Sequence, residues 1–196
     1  ADDLDRQLAQ YAAHDALKPA GRLLFDKLLH NDYTLNLALP ELADATLLLA
    51  LRPPAATLPS IVALFAQKDR DDLYATPEGA TAYYVDRLAA LAGFAARHPG
   101  RFHYFDADAL LADTPRLFAA LERWLMLETP LAADYRRFSQ TGVAGAGDAS
   151  PALASGRIQR ASSPATFDPV LLTRADAAYR DCRAQLIAHA AESVLG

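Results

Sequence analysis

The stretch Ala45 to Leu51 (ATLLLAL) constrains the fold most: it is continuously apolar, has the length of one strand, and stops at Arg52-Pro53-Pro54. An apolar run without polar alternation is what a strand buried on both faces requires, and such strands belong to parallel sheets covered by helices. It falls well short of the ~18 residues of a membrane span. The strand itself is set at Thr46 to Leu51, and Arg22 to Asp26 (RLLFD) and Arg101 to Phe105 (RFHYF) read as two more. Apolar residues three and four apart predict helices over Asp3 to Ala16, Thr57 to Gln67 and Ala80 to Arg97. Thr57 is the expected N-cap of the second, with Pro59 in its first turn; Tyr84, Leu88, Leu91 and Ala95 form the stripe of the third. Pro40 to Asp44 reads as a short helical turn. Asp113 or Thr114 caps a helix through Leu117, Leu121, Trp124 and Leu125, and a last helix runs from about Arg174 to Val194. Strands alternating with helices predict right-handed crossovers and a helix-rich α/β fold, a three-layer arrangement with helices on both faces of a parallel sheet.

Composition narrows the class of partner. With 196 residues, 52% hydrophobic and 22% charged, the chain is expected to form a single domain, 1–196, whose core needs neither disulfide nor metal. Cys182 is alone, so an intrachain disulfide or a cysteine zinc cluster is impossible. A net charge of -5 with scattered basic residues argues against a nucleic-acid partner. The opening ADDLDRQLAQ is acidic and polar, unlike a secretory signal, and a cytoplasmic protein without a membrane span is expected.

Ligands in parallel sheets bind beyond the carboxyl ends of the strands, which directs attention to Lys27 to Asp32, Arg52 to Ser60 and Asp106 to Asp108. Arg52 ends a strand and Ser60 is expected in the opening turn of the next helix, where free N–H groups, a guanidinium fork and a hydroxyl suit a phosphate. Equally, Arg52 could pair with a surface carboxylate and Ser60 merely cap. His30, 22 residues before Arg52, has the titration range of a general base, or is a loop hydrogen-bonding residue beside Asn31 and Asp32. Lys27 is either a charge for an anionic group in transfer or a solvated side chain. Thr141 to Arg157 (TGVAGAGDASPALASGR) carries Gly142, Gly145 and Gly147, a backbone able to fold over an anion, or a flexible surface linker. The scattered histidines suggest no metal site.

In order and spacing these elements resemble the sulfotransferases that use 3′-phosphoadenosine 5′-phosphosulfate (PAPS). His30, then a strand ending in Arg52 with Ser60 eight residues on, then FDADALLADTP in place of a Tyr-Glu-Asp-Leu and Asp-Pro segment, match from Gly21 to about Arg160. The segment from Thr141 looks like the bacterial form, in which Gly-Asp-x-Ser is followed by Ser-Gly-Arg-Ile. The resemblance implies a P-loop nucleotide-binding type of fold and metal-free transfer of a sulfuryl group from PAPS to a hydroxyl or amine. It gives His30 the role of general base and Lys27 that of a charge facing the group in transfer. Arg52 and Ser60 would hold the 3′-phosphate, and a loop with Gly145, Gly147, Ser150 and Arg157 would cover the nucleotide. The acceptor would be a small molecule, carbohydrate or lipid, bordered by Ala80 to Arg97 and Asp69 to Gly79, and a homodimer is among the assemblies expected. Two departures stand out. Ala107 occupies the place of an adenine-stacking Tyr, with Asp108 for Glu, and KPAGRLLFDK is no Pro-x-Ser-Gly-Thr-Thr loop. The resemblance therefore implies an N-terminally incomplete domain, with a strand and 5′-phosphosulfate loop upstream of Ala1. The alternative is a non-catalytic nucleotide- or partner-binding module of the same fold. A related kinase fits worse, because no Walker-type Lys-Ser or Lys-Thr is present.

Overall fold

In the computed structural model the described residues are 35–68, 72–137, 153, 155–159 and 166–196. They fall into two compact units, a larger one with 35–68, 72–131 and 166–196 and a smaller one with 132–137, 153 and 155–159. The larger contains a helix-rich α/β architecture around three parallel strands. These are β1 (Leu48–Leu51), β2 (His103–Asp106) and β3 (Glu192–Val194), in the order β1-β2-β3. Leu48 to Leu51 lie beside His103 to Asp106 in register, and His103 to Phe105 beside Glu192 to Val194. The helices are α1 (Pro54–Lys68), α2 (Pro77–Arg97), α3 (Ala109–Ala112), α4 (Thr114–Trp124) and α5 (Pro169–His189), with 3-10 turns at Pro40–Leu42 and Leu73–Ala75.

The sheet alternates, and each parity has its own core. Leu49, Leu51 and Tyr104 pack with Leu58 of α1, Tyr84 and Leu88 of α2, and Cys182 and Leu186 of α5. Leu48, Phe105 and Val194 pack with Ala109 of α3 and Leu117, Ala120 and Trp124 of α4. Residues one apart on a strand point to opposite faces, so helices cover both. Three helices begin as their sequences dictate. Thr76 accepts from Gly79 N at 3.1 Å, Asp113 from Arg116 N at 3.2 Å, and Asp168 from Val170 N and Leu171 N at 2.8 and 3.0 Å. Each cap is followed by proline within the first two helical positions, where its missing N–H costs nothing.

Two helix boundaries are corrected. α1 begins at Pro54, so Pro59 lies inside the helix, Ser60 stands in its second turn and Thr57 is not the N-cap. Thr57 Oγ1 instead donates back to Pro53 O at 2.8 Å. The last helix ends at His189, and Glu192–Val194 form a strand. Strand Arg22 to Asp26 and helix Asp3 to Ala16 lie outside the described residues.

In the smaller unit Asp134 and Arg157 form an antiparallel bridge, with Tyr135 N bonded to Gly156 O at 2.8 Å and Ile158 N to Ala133 O at 2.9 Å. Gly156 has φ 76°, and a Cβ there would stand 3.3 Å from Tyr135 O, so the turn into this bridge requires glycine.

Candidate functional site

The carboxyl ends of β1 and β2 meet at Leu51 and Asp106, which are register partners, and Ala107 N continues the ladder to Leu51 O at 2.8 Å. Arg52 is the first residue past β1. Its side chain is exposed and makes no hydrogen bond or ion pair to the described residues. Its carbonyl is held instead, accepting from the Tyr84 hydroxyl at 2.7 Å and from Thr57 Oγ1 at 3.2 Å. Ser60 is exposed on α1, one turn beyond Thr57. Residues three apart share a helix face, so Ser60 lies on the face that carries Thr57. The backbone contribution is smaller than the sequence suggests. Pro53 and Pro54 have no N–H, and Ala56 and Thr57 both donate to Pro53 O, at 3.2 and 3.1 Å. Of the opening residues of α1, Ala55 retains an N–H available to a ligand.

Beside this pole, Asp106 is 5% exposed and fully engaged. Arg183 Nε and Nη2 reach Oδ1 and Oδ2 at 2.8 and 2.6 Å, Gly196 N reaches Oδ2 at 3.0 Å, and the Tyr104 hydroxyl donates to Oδ1. Burial alone would raise the Asp106 carboxyl, but bonds from Arg183, Tyr104 and Gly196 N outweigh it and hold the group below the usual carboxylate range. The same carboxylate strengthens the hold of Arg183 on its proton. Burial pushes the Tyr84 and Tyr104 phenols well above their ordinary value, so both are hydroxyl donors at neutral pH. A carboxylate saturated in this way has no capacity to accept a proton from a substrate; Asp106 is structural.

At the amino end of the sheet His103 stacks on Trp124, ring centroids 4.5 Å apart and planes 9° from parallel. Arg123 pairs with Glu192 and ties α4 to β3. Among the described residues no group of three His, Cys, Asp or Glu is placed to hold a metal. Cys182 is buried between α2 and α5, and burial pushes its thiol up to about 12, so it is packing and not a nucleophile. An open groove of about 370 Å³ runs above it, lined by Val85, Leu88 and Ala92 of α2 and by α5; neither Arg52 nor Ser60 lines it.

Of the site residues read from sequence, Arg52 and Ser60 lie in the larger unit, Arg52 two residues before α1 and Ser60 in its second turn. Arg157 belongs to the smaller unit, where its guanidinium is exposed 3.7 Å from Asp134. His30, Lys27, Gly145, Gly147 and Ser150 lie outside the described residues. Tyr84 and Arg183 were not among the sequence candidates. No local signal marks them, because their partners are 32 and 77 residues away.

Comparison with known proteins found no match among family models, curated proteins or solved structures.

Proposed function

We propose that this chain belongs to a PAPS-dependent sulfotransferase of P-loop type, with Arg52 and Ser60 as the group that recognises the nucleotide's 3′-phosphate. One observation carries the reading. A guanidinium with no bond to the described residues follows the carboxyl end of a parallel strand, and an exposed hydroxyl stands in the second turn of the helix after it. That pair fits a phosphate in both charge and donor number, and the carboxyl end is where parallel sheets bind ligands. PAPS supplies an activated sulfuryl group when bound. His30 takes the proton of the acceptor hydroxyl or amine as its oxygen or nitrogen forms the new bond to sulfur. Lys27 faces the negative charge that develops as the bond from sulfur to the nucleotide breaks. The glycine-bearing segment with Gly145, Gly147, Ser150 and Arg157 contributes N–H donors and a charge to the nucleotide. The acceptor is a small molecule, carbohydrate or lipid.

The test is binding. Titrating the 196-residue chain with 3′-phosphoadenosine 5′-phosphate raises the Tm, by about 2.7 kcal/mol of added stability at a hundredfold excess over Kd, and Arg52→Ala removes the rise. An unchanged Tm for the wild type at millimolar nucleotide overturns the reading. Sulfuryl transfer from PAPS separates the enzyme from a non-catalytic nucleotide-binding module: His30→Ala retains the Tm rise and loses transfer.

A further inference from the structure

Arg52 has an unusual combination of freedom and constraint. Its side chain is exposed and unbonded to the described residues, so nothing there directs the guanidinium except the backbone that carries it. That backbone is restrained from three directions. The preceding carbonyl, Leu51 O, is in the ladder with Ala107 N at 2.8 Å. The following residues are Pro53 and Pro54, whose rings fix their own φ and disfavour helical conformation in the residue before them. Arg52's own carbonyl takes two donors, of which the Tyr84 hydroxyl at 2.7 Å is the shorter and Thr57 Oγ1 at 3.2 Å the longer.

Tyr84 is suited to set that carbonyl. Its ring is 7% exposed and locked among the residues of the larger core, two turns into α2, with two rotatable side-chain bonds and a rigid ring between helix and hydroxyl. The contact spans 32 residues and joins the strand-to-helix turn to an element that does not otherwise form it. Thr57, by contrast, divides its hydroxyl between Arg52 O and Pro53 O, the latter being closer at 2.8 Å. Rotating the Arg52 peptide plane would swing the Cα–Cβ direction and with it a fork that recognises an anion through two parallel bonds, a geometry that tolerates little misplacement.

We infer that Tyr84 is a positioning residue for anion recognition: its hydroxyl, by fixing the Arg52 carbonyl, aims the Arg52 guanidinium at the phosphate of a nucleotide. The inference rests on the proposed reading of Arg52 and adds a residue the sequence pattern does not mark. Tyr84 touches no ligand; it acts through Arg52.

The experiment titrates 3′-phosphoadenosine 5′-phosphate into the wild-type chain and four variants by calorimetry, with Tm recorded for each. Tyr84→Phe keeps the ring and removes the hydroxyl, and Kd rises by about five- to tenfold, the equivalent of one hydrogen bond. Leu88→Ala, one turn along the same helix and in the same core, lowers Tm more than Tyr84→Phe yet leaves Kd unchanged. Arg52→Lys keeps the charge on a flexible stem that needs no aiming, and adding Tyr84→Phe to it raises Kd no further. Should Tyr84→Phe fail to fold, Thr57→Val, which removes the other donor to the same carbonyl, raises Kd about twofold in its place. Equal Kd for wild type and Tyr84→Phe (or Thr57→Val) overturns the inference, as does the same fold-loss in the Arg52→Lys background, while leaving the nucleotide reading intact. If the wild type itself binds no nucleotide, both fall together.

Discussion

An alanine in a helix interior is ordinarily about 1 kcal/mol more favourable than a glycine. At Gly79, in the first turn of α2, a Cβ would stand 1.9 Å from Leu73 O and 2.7 Å from Leu73 C, inside any permissible contact and against backbone, which has no rotamer by which to withdraw. The Leu73–Ala75 turn is itself fixed by Asp72, whose carboxylate accepts from Tyr74 N at 2.8 Å. Gly79→Ala is therefore expected to reverse the usual sign and destabilise by about 2–4 kcal/mol, read as a fall in the urea midpoint at unchanged slope. A variant as stable as wild type would mean that the turn and the helix can separate. Asp106 makes the complementary case for polar groups. One carboxylate saturated by an arginine, a phenol and a peptide N–H closes the end of β2, whereas Arg52, past the neighbouring strand, has no side-chain bond to the described residues.

At the scale of elements, helix interiors were legible from apolar spacing, while their ends were not. Tyr84, Leu88 and Ala95 are buried as the three-and-four pattern requires, and Leu117 and Trp124 likewise. The rule that places proline in a first turn set the start of α1 too late, because this helix begins at Pro54 and tolerates a second proline, Pro59, in its interior. β3 was hidden for the opposite reason. Cys182, Leu186, Ala190 and Val194 recur every fourth residue, so the pattern runs on where the chain does not: Ala190 is extended, with φ -66° and ψ 148°, and Val194 joins the core on the other face of the sheet. β2 and α4 meet through His103 and Trp124, and here pH becomes a probe. Burial holds the His103 imidazole below its ordinary value, helped by Arg123 and opposed by Glu192. The folded state therefore favours the neutral ring. Its contribution is complete above the unfolded pKa of about 6.5 and is lost as pH falls through the lower folded value. Lowering pH from 7.5 to 5 should depress Tm by a few degrees, and His103→Phe, which keeps the stack, should flatten that dependence; an unchanged slope in the variant would assign it to other groups.

For the whole molecule, the sequence pattern could set Arg52 after a strand and Ser60 in the helix that follows, because strand end and helix are neighbours in the chain. It was blind to the bonds of Tyr84 and Arg183, whose partners are brought near by folding alone. The same distinction governs how the larger unit stores its stability. Its two cores lie on opposite faces of a three-stranded sheet: Leu186 is in one with Leu88, and Leu117 is in the other with Trp124, all three leucines no more than 2% exposed. A close-packed core transmits a change in volume to its neighbours, while the backbone of an intact sheet between two cores carries little of it. Leu117→Val and Leu186→Val each remove a methylene and place a β-branched side chain in a helix, at a cost of roughly 1–2 kcal/mol apiece. Combined, their costs should add to within about 0.5 kcal/mol, as expected for sites without shared partners. Leu88→Val with Leu186→Val, both inside the core shared by α2 and α5, should instead depart from the sum by more than that, because the second truncation relaxes into space left by the first. Urea unfolding of the single and double variants measures both cycles. Equal coupling in the two would show that the sheet does not insulate one face from the other, and a Leu117 cycle more strongly coupled than the Leu88 cycle would contradict the division into two cores.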